Sequence, residues 1–134
     1  MANQVSRIIP VALLLVLFST GFANAGDRVW TSLGPEGGQI CTLAIDPMVP
    51  QTLYAGTGQG GVFKSTNGGR TWNSINTGLP KYINPGLPNY YEVSSLAIDP
   101  TTSQTIYAST GGAGIFKSIN GGSDWSPINM GPTN

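Results

Sequence analysis

The sequence predicts an all-β protein, built mainly from two tandem copies of one four-stranded antiparallel unit. Three observations support this fold class. The segment Leu43–Gly78 aligns without gaps with Leu96–Gly131, and 22 of the 36 aligned positions are identical. The 134 residues include 19 Gly and 10 Pro, which favour tight turns over long helices. Between the turns, β-branched and aromatic residues alternate with small ones, as is typical of short strands.

Each copy is predicted to contain four strands. They cover residues 39–45, 51–55, 61–65 and 71–75 in the first copy, and 94–98, 104–109, 114–118 and 124–128 in the second. The connections between them are short, so consecutive strands must pair antiparallel. Four antiparallel strands in about 45–50 residues make a unit the size of one β-propeller blade.

Residues 1–25 are predicted to be a cleaved signal peptide. A polar start carrying Arg7 precedes the apolar run Ile8–Phe18, and Ala23-Asn24-Ala25 provides a small-x-small cleavage site. The alternative, a membrane anchor, would need about 20 apolar residues. We therefore expect a secreted or periplasmic protein that begins at Gly26 and has no membrane span after cleavage.

The mature chain divides into four predicted parts. Residues 26–39 hold an orphan outer strand and a connection, because Arg28-Val29-Trp30 resembles Arg70-Thr71-Trp72. Residues 40–78 form blade 1, residues 79–93 a loop rich in Tyr and Pro, and residues 94–131 blade 2. A blade buries its faces only against neighbouring blades, so two blades leave two faces open. We expect either a longer array of which this sequence is a part, or self-association that closes a ring.

Composition narrows the classes of partner and site. Without Arg7, five basic and six acidic side chains remain, which does not favour nucleic acid as a partner. The sequence contains no histidine, so Ser-His-Asp triads and the commonest metal ligand are absent. We predict no metal and no cofactor. The single cysteine, Cys41, lies in an apolar stretch and is predicted to be buried rather than reactive or paired with another chain.

The most specific local motif is Ser65-Thr66-Asn67-Gly68-Gly69-Arg70-Thr71-Trp72, which returns as Ser118-Ile119-Asn120-Gly121-Gly122-Ser123-Asp124-Trp125. Both copies resemble the Asp-box, or bacterial neuraminidase repeat, with Asn in the Asp position. The resemblance covers nearly all of residues 28–131. It implies a propeller of the type found in sortilin-like receptors, photosystem II assembly factors, sialidases and xyloglucanases.

The residues of this motif are predicted to be structural. Asn67 is expected to accept hydrogen bonds from backbone amides one or two residues further on, as in Asx turns. Gly68 and Gly69 supply positive φ angles, and Trp72 buries its ring under the hairpin. In Asp-box families the hairpin lies at the periphery, away from the substrate face. The equivalent structural residues of the second copy are Ser118, Asn120, Gly121, Gly122 and Trp125.

A catalytic site is only weakly indicated. Sialidases clamp a carboxylate with three arginines, but the mature chain has only Arg28 and Arg70. Asp46 and Asp99 occupy equivalent places before prolines, which is typical of turn capping. Glu36 and Glu92 are not repeat-equivalent and are the better candidates for glycoside hydrolysis, which needs a pair of carboxyl groups. We assign no catalytic residue.

The loop between the blades interrupts the repeat. It separates Trp72 from Asp99 by 27 residues, against 16 between Trp30 and Asp46. Its tyrosines, Tyr82, Tyr90 and Tyr91, offer contact area that suits a sugar ring or a protein side chain. The alternative is a spacer whose tyrosines fold back onto the blade. The sequence thus predicts an exported, non-catalytic propeller module that binds protein or glycan; the alternative is part of a carbohydrate-active enzyme.

Overall fold

The structure, a computed structural model, describes residues 34–36, 38–83 and 90–128. All of them belong to one compact unit. The predicted signal peptide and the orphan strand up to residue 33 lie outside the described residues. The part of the chain that is described contains no helix long and apolar enough to cross a membrane.

Eight strands form two separate sheets of four. They are β1 (Ile40–Ile45), β2 (Leu53–Thr57), β3 (Gly61–Ser65), β4 (Asn73–Ser74), β5 (Val93–Ile98), β6 (Ile106–Thr110), β7 (Gly114–Ser118) and β8 (Ser126–Pro127). The sheets have the orders β1-β2-β3-β4 and β5-β6-β7-β8, and every pairing is antiparallel. The predicted all-β fold with two four-stranded antiparallel units is confirmed.

The outer strands are shorter than the sequence predicts, for a local reason. The amide of Thr71 donates to the side chain of Asn67 at 2.9 Å, so it is not available to the sheet. Asp124 does the same with Asn120 at 3.0 Å. Each fourth strand therefore begins two residues later than predicted, while the amides of Ile75 and Ile128 still donate to the third strands. The second strands also begin late, because Thr52 and Thr105 still belong to the preceding turns.

The core lies between the two sheets. The inner strand of the second sheet, β5, packs on β1 and β2 of the first. The first sheet contributes Tyr54 and Val62 to the core, and the second contributes Val93, Leu96, Ile106, Ala108, Phe116 and Trp125. Burying each large aliphatic side chain here contributes about 1.5–3 kcal/mol. The two sheets therefore stack face to face and stabilise one another.

Cys41 is exposed, so the prediction of a buried thiol is wrong. The register of β1 against β2 shifts between Ile40 and Thr42, which makes Cys41 the extra residue of a β-bulge. Its Sγ lies 3.7 Å from the carbonyl oxygen of Gln39. The second sheet has the same shift around Ser94, so the bulge belongs to the repeated unit. An apolar neighbourhood in sequence does not reveal such a shift.

Candidate functional site

The two Asn-Gly-Gly hairpins are closed by the same set of hydrogen bonds. Ser65 Oγ accepts from the amide of Gly69 at 2.8 Å and donates to Asn67 Oδ1 at 3.0 Å. Asn67 Oδ1 accepts from the amide of Thr71, four residues on, rather than from amides one or two residues on as the sequence suggested. The reason is that the two nearer amides have other acceptors: the amide of Gly68 donates to the carbonyl of Gln51, and that of Gly69 donates to the buried Ser65 hydroxyl. Ser118 and Asn120 repeat the arrangement.

The glycines of the hairpins adopt positive φ angles, and a tryptophan packs against the second glycine of each pair. Gly68 and Gly69 have φ angles of 69° and 87°, and Gly121 and Gly122 have 68° and 91°. The Trp125 ring lies against Gly122 and is buried, and its Nε1 donates to the carbonyl of Ile75 in the first sheet at 2.8 Å. Trp72 lies against Gly69 and beside Gly34 and is half-buried. In the second copy, the motif thus joins the two sheets.

The aspartates before the prolines are held in their turns. Asp46 Oδ1 accepts from the amides of Met48 and Val49 at 2.9 and 3.2 Å. Asp99 Oδ1 accepts from the hydroxyl and amide of Thr101 and from the amide of Thr102, and these bonds, the Thr101 hydroxyl first, lower the pKa of Asp99. The predicted turn-capping role of both aspartates is confirmed.

The two ends of each sheet differ in chemistry. The hairpins and the Asp-Pro turns share one end, where the amide of Gly68 donates to the carbonyl of Gln51. At the opposite end lie the β2–β3 turn, the β6–β7 turn and the loop that joins β4 to β5. The two hairpins are therefore remote from the tyrosines of the loop.

The loop tyrosines form a small cluster at that opposite end. Tyr82 and Tyr90 exchange two backbone hydrogen bonds of 2.8 and 3.2 Å, and their rings stack with centroids 5.2 Å apart and an interplanar angle of 22°. The amide of Tyr91 donates to the carbonyl of Gln59 in the β2–β3 turn, and its ring packs on the core. Tyr91 therefore folds back onto the blades, as the alternative interpretation of the loop as a spacer predicts. Residues 84–89 of the loop lie outside the described part.

The same cluster reaches the second sheet. The Tyr82 hydroxyl is buried, has no hydrogen-bond partner among the described residues, and lies beside Gly112 in the β6–β7 turn. The carboxylate of Glu92 lies over the neighbouring Gly111 so closely that a Cβ there would overlap it. Glu92 is half-buried and Glu36 is exposed. The Tyr82 hydroxyl and the Glu92 carboxylate therefore both lie against the β6–β7 turn.

The acidic and cysteine side chains of the described residues do not form a metal site. No group of three or more His, Cys, Asp or Glu side chains within residues 34–36, 38–83 and 90–128 is placed to hold a metal ion.

A groove of about 360 Å³ lies on the outer face of the second sheet, away from the tyrosines of the loop. Its lining is formed by Lys117, Ile119, Asn120, Asp124, Ser126 and Ile128. Sequence reasoning missed this groove.

Comparison with known proteins gives relatives of a consistent kind. The chain is 30% identical over 112 residues to a xyloglucanase of Hypocrea jecorina, covering 76% of this chain and 13% of the relative. It is 28% identical over 113 residues to a xyloglucanase of a Paenibacillus species, covering 77% of this chain and 11% of the relative. The chain thus spans about an eighth of the length of these relatives. No family model matches it.

Solved structures support the fold. The GH74 enzyme of Niastella koreensis has a TM-score of 0.54 and 34% identity over 66% of this chain and 13% of its own. YCF48 from Cyanidioschyzon merolae has a TM-score of 0.54 and 17% identity over 78% of this chain and 28% of its own. Both kinds of neighbour are β-propellers. The chain is therefore a pair of tandem β-propeller blades, similar in sequence to part of the xyloglucanases.

Proposed function

We propose that this chain is a non-catalytic, exported β-propeller module that binds a β-glucan of the xyloglucan type through Tyr82 and Tyr90. The stacked pair of rings at the end of the sheets that carries the inter-blade loop is the observation that supports the proposal. Aromatic rings present a flat apolar surface at low entropic cost, and the apolar face of a pyranose ring is complementary to it. The xyloglucanase relatives indicate the class of polysaccharide.

The absence of catalysis is part of the proposal and rests on how the carboxylates are used. Asp46 and Asp99 are held by turn amides, and Asp124 accepts from Asn120 in a hairpin. The carboxylate of Glu92, which follows Tyr91 in the chain, lies against Gly111. Glycoside hydrolysis requires two carboxyl groups about 5–10 Å apart across the scissile bond. The competing function, part of a glycoside hydrolase, is favoured by the relatives and names Glu92 and Glu36.

We also assign both hairpins to the Asp-box class. The support is the repeated set of hydrogen bonds from Ser65 and Asn67 and from Ser118 and Asn120, with a tryptophan under each second glycine. Under this assignment the hairpins stabilise the blades and carry no ligand.

The binding experiment is isothermal titration calorimetry of the mature protein with a xyloglucan oligosaccharide. We expect Tyr90→Ala to weaken binding about tenfold, which corresponds to about 1.4 kcal/mol. Val49→Ala is the control, because Val49 is exposed in the Asp46 turn, at the end of the first sheet opposite the loop. Equal affinities for the wild type and Tyr90→Ala would refute binding by the loop.

Turnover is measured on the same samples by the release of reducing ends. The proposal expects none above the level of heat-treated protein. Hydrolysis that disappears in Glu92→Gln or Glu36→Gln would replace the proposal with the hydrolase function.

Export is tested by expression of residues 1–134 in a secreting host. We expect the protein to leave the cytoplasm and its first residue to be Gly26, because Ala23-Asn24-Ala25 fits signal peptidase. The measurement is N-terminal sequencing of the exported protein. Retention of Met1 in a membrane fraction would favour the anchor instead.

A further inference from the structure

The internal interface between the two sheets has an equivalent open surface on each side of the molecule. Each residue of the first sheet has a counterpart 53 positions later in the second. Leu96 is packed against the first sheet and is 9% exposed, while its counterpart Leu43 is 58% exposed. Val62 faces the second sheet and is 0% exposed, while its counterpart Ile115 is 47% exposed. The two halves of one interface therefore recur as separate open faces.

The outer groove of the second sheet matches a site that is filled in the first. Ile75 in the first sheet contacts Gly122 of the second hairpin, and its carbonyl accepts from Trp125. The carbonyl of Gly121 in that hairpin accepts from Lys64 Nζ at 3.1 Å and from the Tyr54 hydroxyl at 3.3 Å. The groove lined by Lys117 and Ile128 is thus the counterpart of a surface that already receives a hairpin.

The donors in the groove are already in position. Lys117 Nζ lies 5.5 Å from the centroid of the Tyr107 ring, and Lys64 Nζ lies 5.3 Å from that of Tyr54. In the first sheet this arrangement directs both donors to one carbonyl. Preorganised donors reduce the entropic cost of association.

We propose that the outer face of the second sheet binds the outer face of the first sheet of another copy of this chain, head to tail. In the complex, the hairpin Asn67–Gly69 of the second copy occupies the groove, and the carbonyl of Gly68 accepts from Lys117 and Tyr107. Leu43, Ile40 and Ile45 of that copy cover Ile115 and its neighbours, as Leu96 covers the first sheet. This interface is separate from the tyrosine loop and does not depend on glycan binding.

Such an interface is heterologous, because two different surfaces of the same chain meet. Heterologous contacts form a closed ring when the rotation closes, or a filament when it does not. A ring of about four to eight blades would contain two to four copies of the described pair of blades. We expect light scattering of the mature wild type to give a mass above that of the monomer, rising with concentration. A folded monomer at high micromolar concentration would overturn the proposal.

Complementation tests the direction of assembly. Leu43→Asp damages only the outer face of the first sheet, and Ile128→Asp damages only the groove. Each variant alone is expected to be monomeric, and an equimolar mixture is expected to form a one-to-one dimer through the two intact faces. Ile83→Asp is the control, since Ile83 is 78% exposed in the loop and should leave assembly unchanged. A variant that dimerises alone, or a mixture that stays monomeric, contradicts the head-to-tail arrangement.

The lysine contact is tested in the same mixture. Lys117→Ala in the Leu43→Asp chain should weaken the dimer about tenfold, because that chain supplies the groove. Lys81→Ala in the same chain should leave the affinity unchanged. Circular dichroism confirms that each variant is folded, and Ile45→Asp replaces Leu43→Asp if the latter is not. Equal effects of the two lysine substitutions would refute the contact with Gly68.

Discussion

Tyr54 shows how a polar side chain stabilises the contact between the blades. Its ring is 1% exposed, and its hydroxyl donates to Gly121 across the interface at 3.3 Å. Lys64 lies over the ring and donates to the same carbonyl. A buried hydroxyl without a partner would cost about 1–3 kcal/mol. The hydrogen bond to Gly121 therefore offsets the cost of burying the Tyr54 hydroxyl.

The same residue predicts a loss of stability at alkaline pH. Burial, with a smaller contribution from the charge of Asp46, raises the pKa of Tyr54 to about 12. A raised pKa means that the folded state keeps the proton that the unfolded state releases near pH 10. The contribution to the free energy of unfolding is complete below pH 10 and is lost as pH rises towards 12.

The measurement is urea unfolding of wild type and Tyr54→Phe between pH 8 and pH 12. We expect the wild type to lose at least about 1 kcal/mol more than the variant over this range. All other side chains are the same in both proteins, so the difference isolates Tyr54. Parallel curves for the two proteins would refute the assigned cause.

At the scale of the element, the two hairpins have the same positive-φ glycines but differ in the partner of the asparagine Nδ2. Asn67 Nδ2 donates to Thr71 Oγ1 at 2.8 Å, while Asn120 Nδ2 donates to Asp124 Oδ2 at 2.9 Å. The first contact joins two neutral groups, and the second joins an amide to a carboxylate. An aspartate in place of the asparagine therefore has opposite consequences in the two hairpins.

We expect Asn67→Asp to be tolerated, since the Thr71 hydroxyl then donates to the new carboxylate. Asn120→Asp should lower Tm at pH 7 by about 4 °C or more, because two carboxylates meet at hydrogen-bond distance. The loss should be smaller at pH 4 than at pH 7, because each carboxylate favours protonation of the other and protonation removes the repulsion. Differential scanning calorimetry of both variants at pH 7 and pH 4 checks this. An equal loss in both hairpins would contradict it.

The strand bounds show which parts of the fold the local sequence pattern predicts correctly. β3 and β7 have the bounds that alternation predicts, because Gly61 and Gly114 begin them and the hairpins end them. The fourth strands were predicted to begin at Thr71 and Asp124 and begin two residues later, because the amides of these residues donate to asparagine side chains. Competition between a side chain and the ladder for one amide is not visible in hydrophobic periodicity.

At the scale of the whole molecule, identical residues in equivalent strands have different environments. Leu96 packs between the sheets, and Leu43 occupies the equivalent place on an open face. We expect Leu96→Ala to cost about 2–5 kcal/mol of the free energy of unfolding, and Leu43→Ala less than about 0.5 kcal/mol in dilute protein. Chemical denaturation at low concentration measures both.

Unfolding of the Leu96→Ala and Leu43→Ala variants at several protein concentrations provides the control. If open faces meet in oligomers, the cost of Leu43→Ala should grow with protein concentration, while that of Leu96→Ala should not. Equal costs at low concentration would show that both faces are buried in the monomer.

The sequence by itself determined the repeated unit, its strand order and its turns, because alternation, glycines with positive φ and Asp-Pro turns act over a few residues. It also located the tyrosine loop. Only the tertiary structure decided that Cys41 lies in a bulge, that Tyr82 stacks on Tyr90, and which copy of each repeated residue is buried. The physical reason is that two copies of one sequence have the same local preferences, and only packing between the sheets makes Leu96 a core residue and Leu43 a surface one.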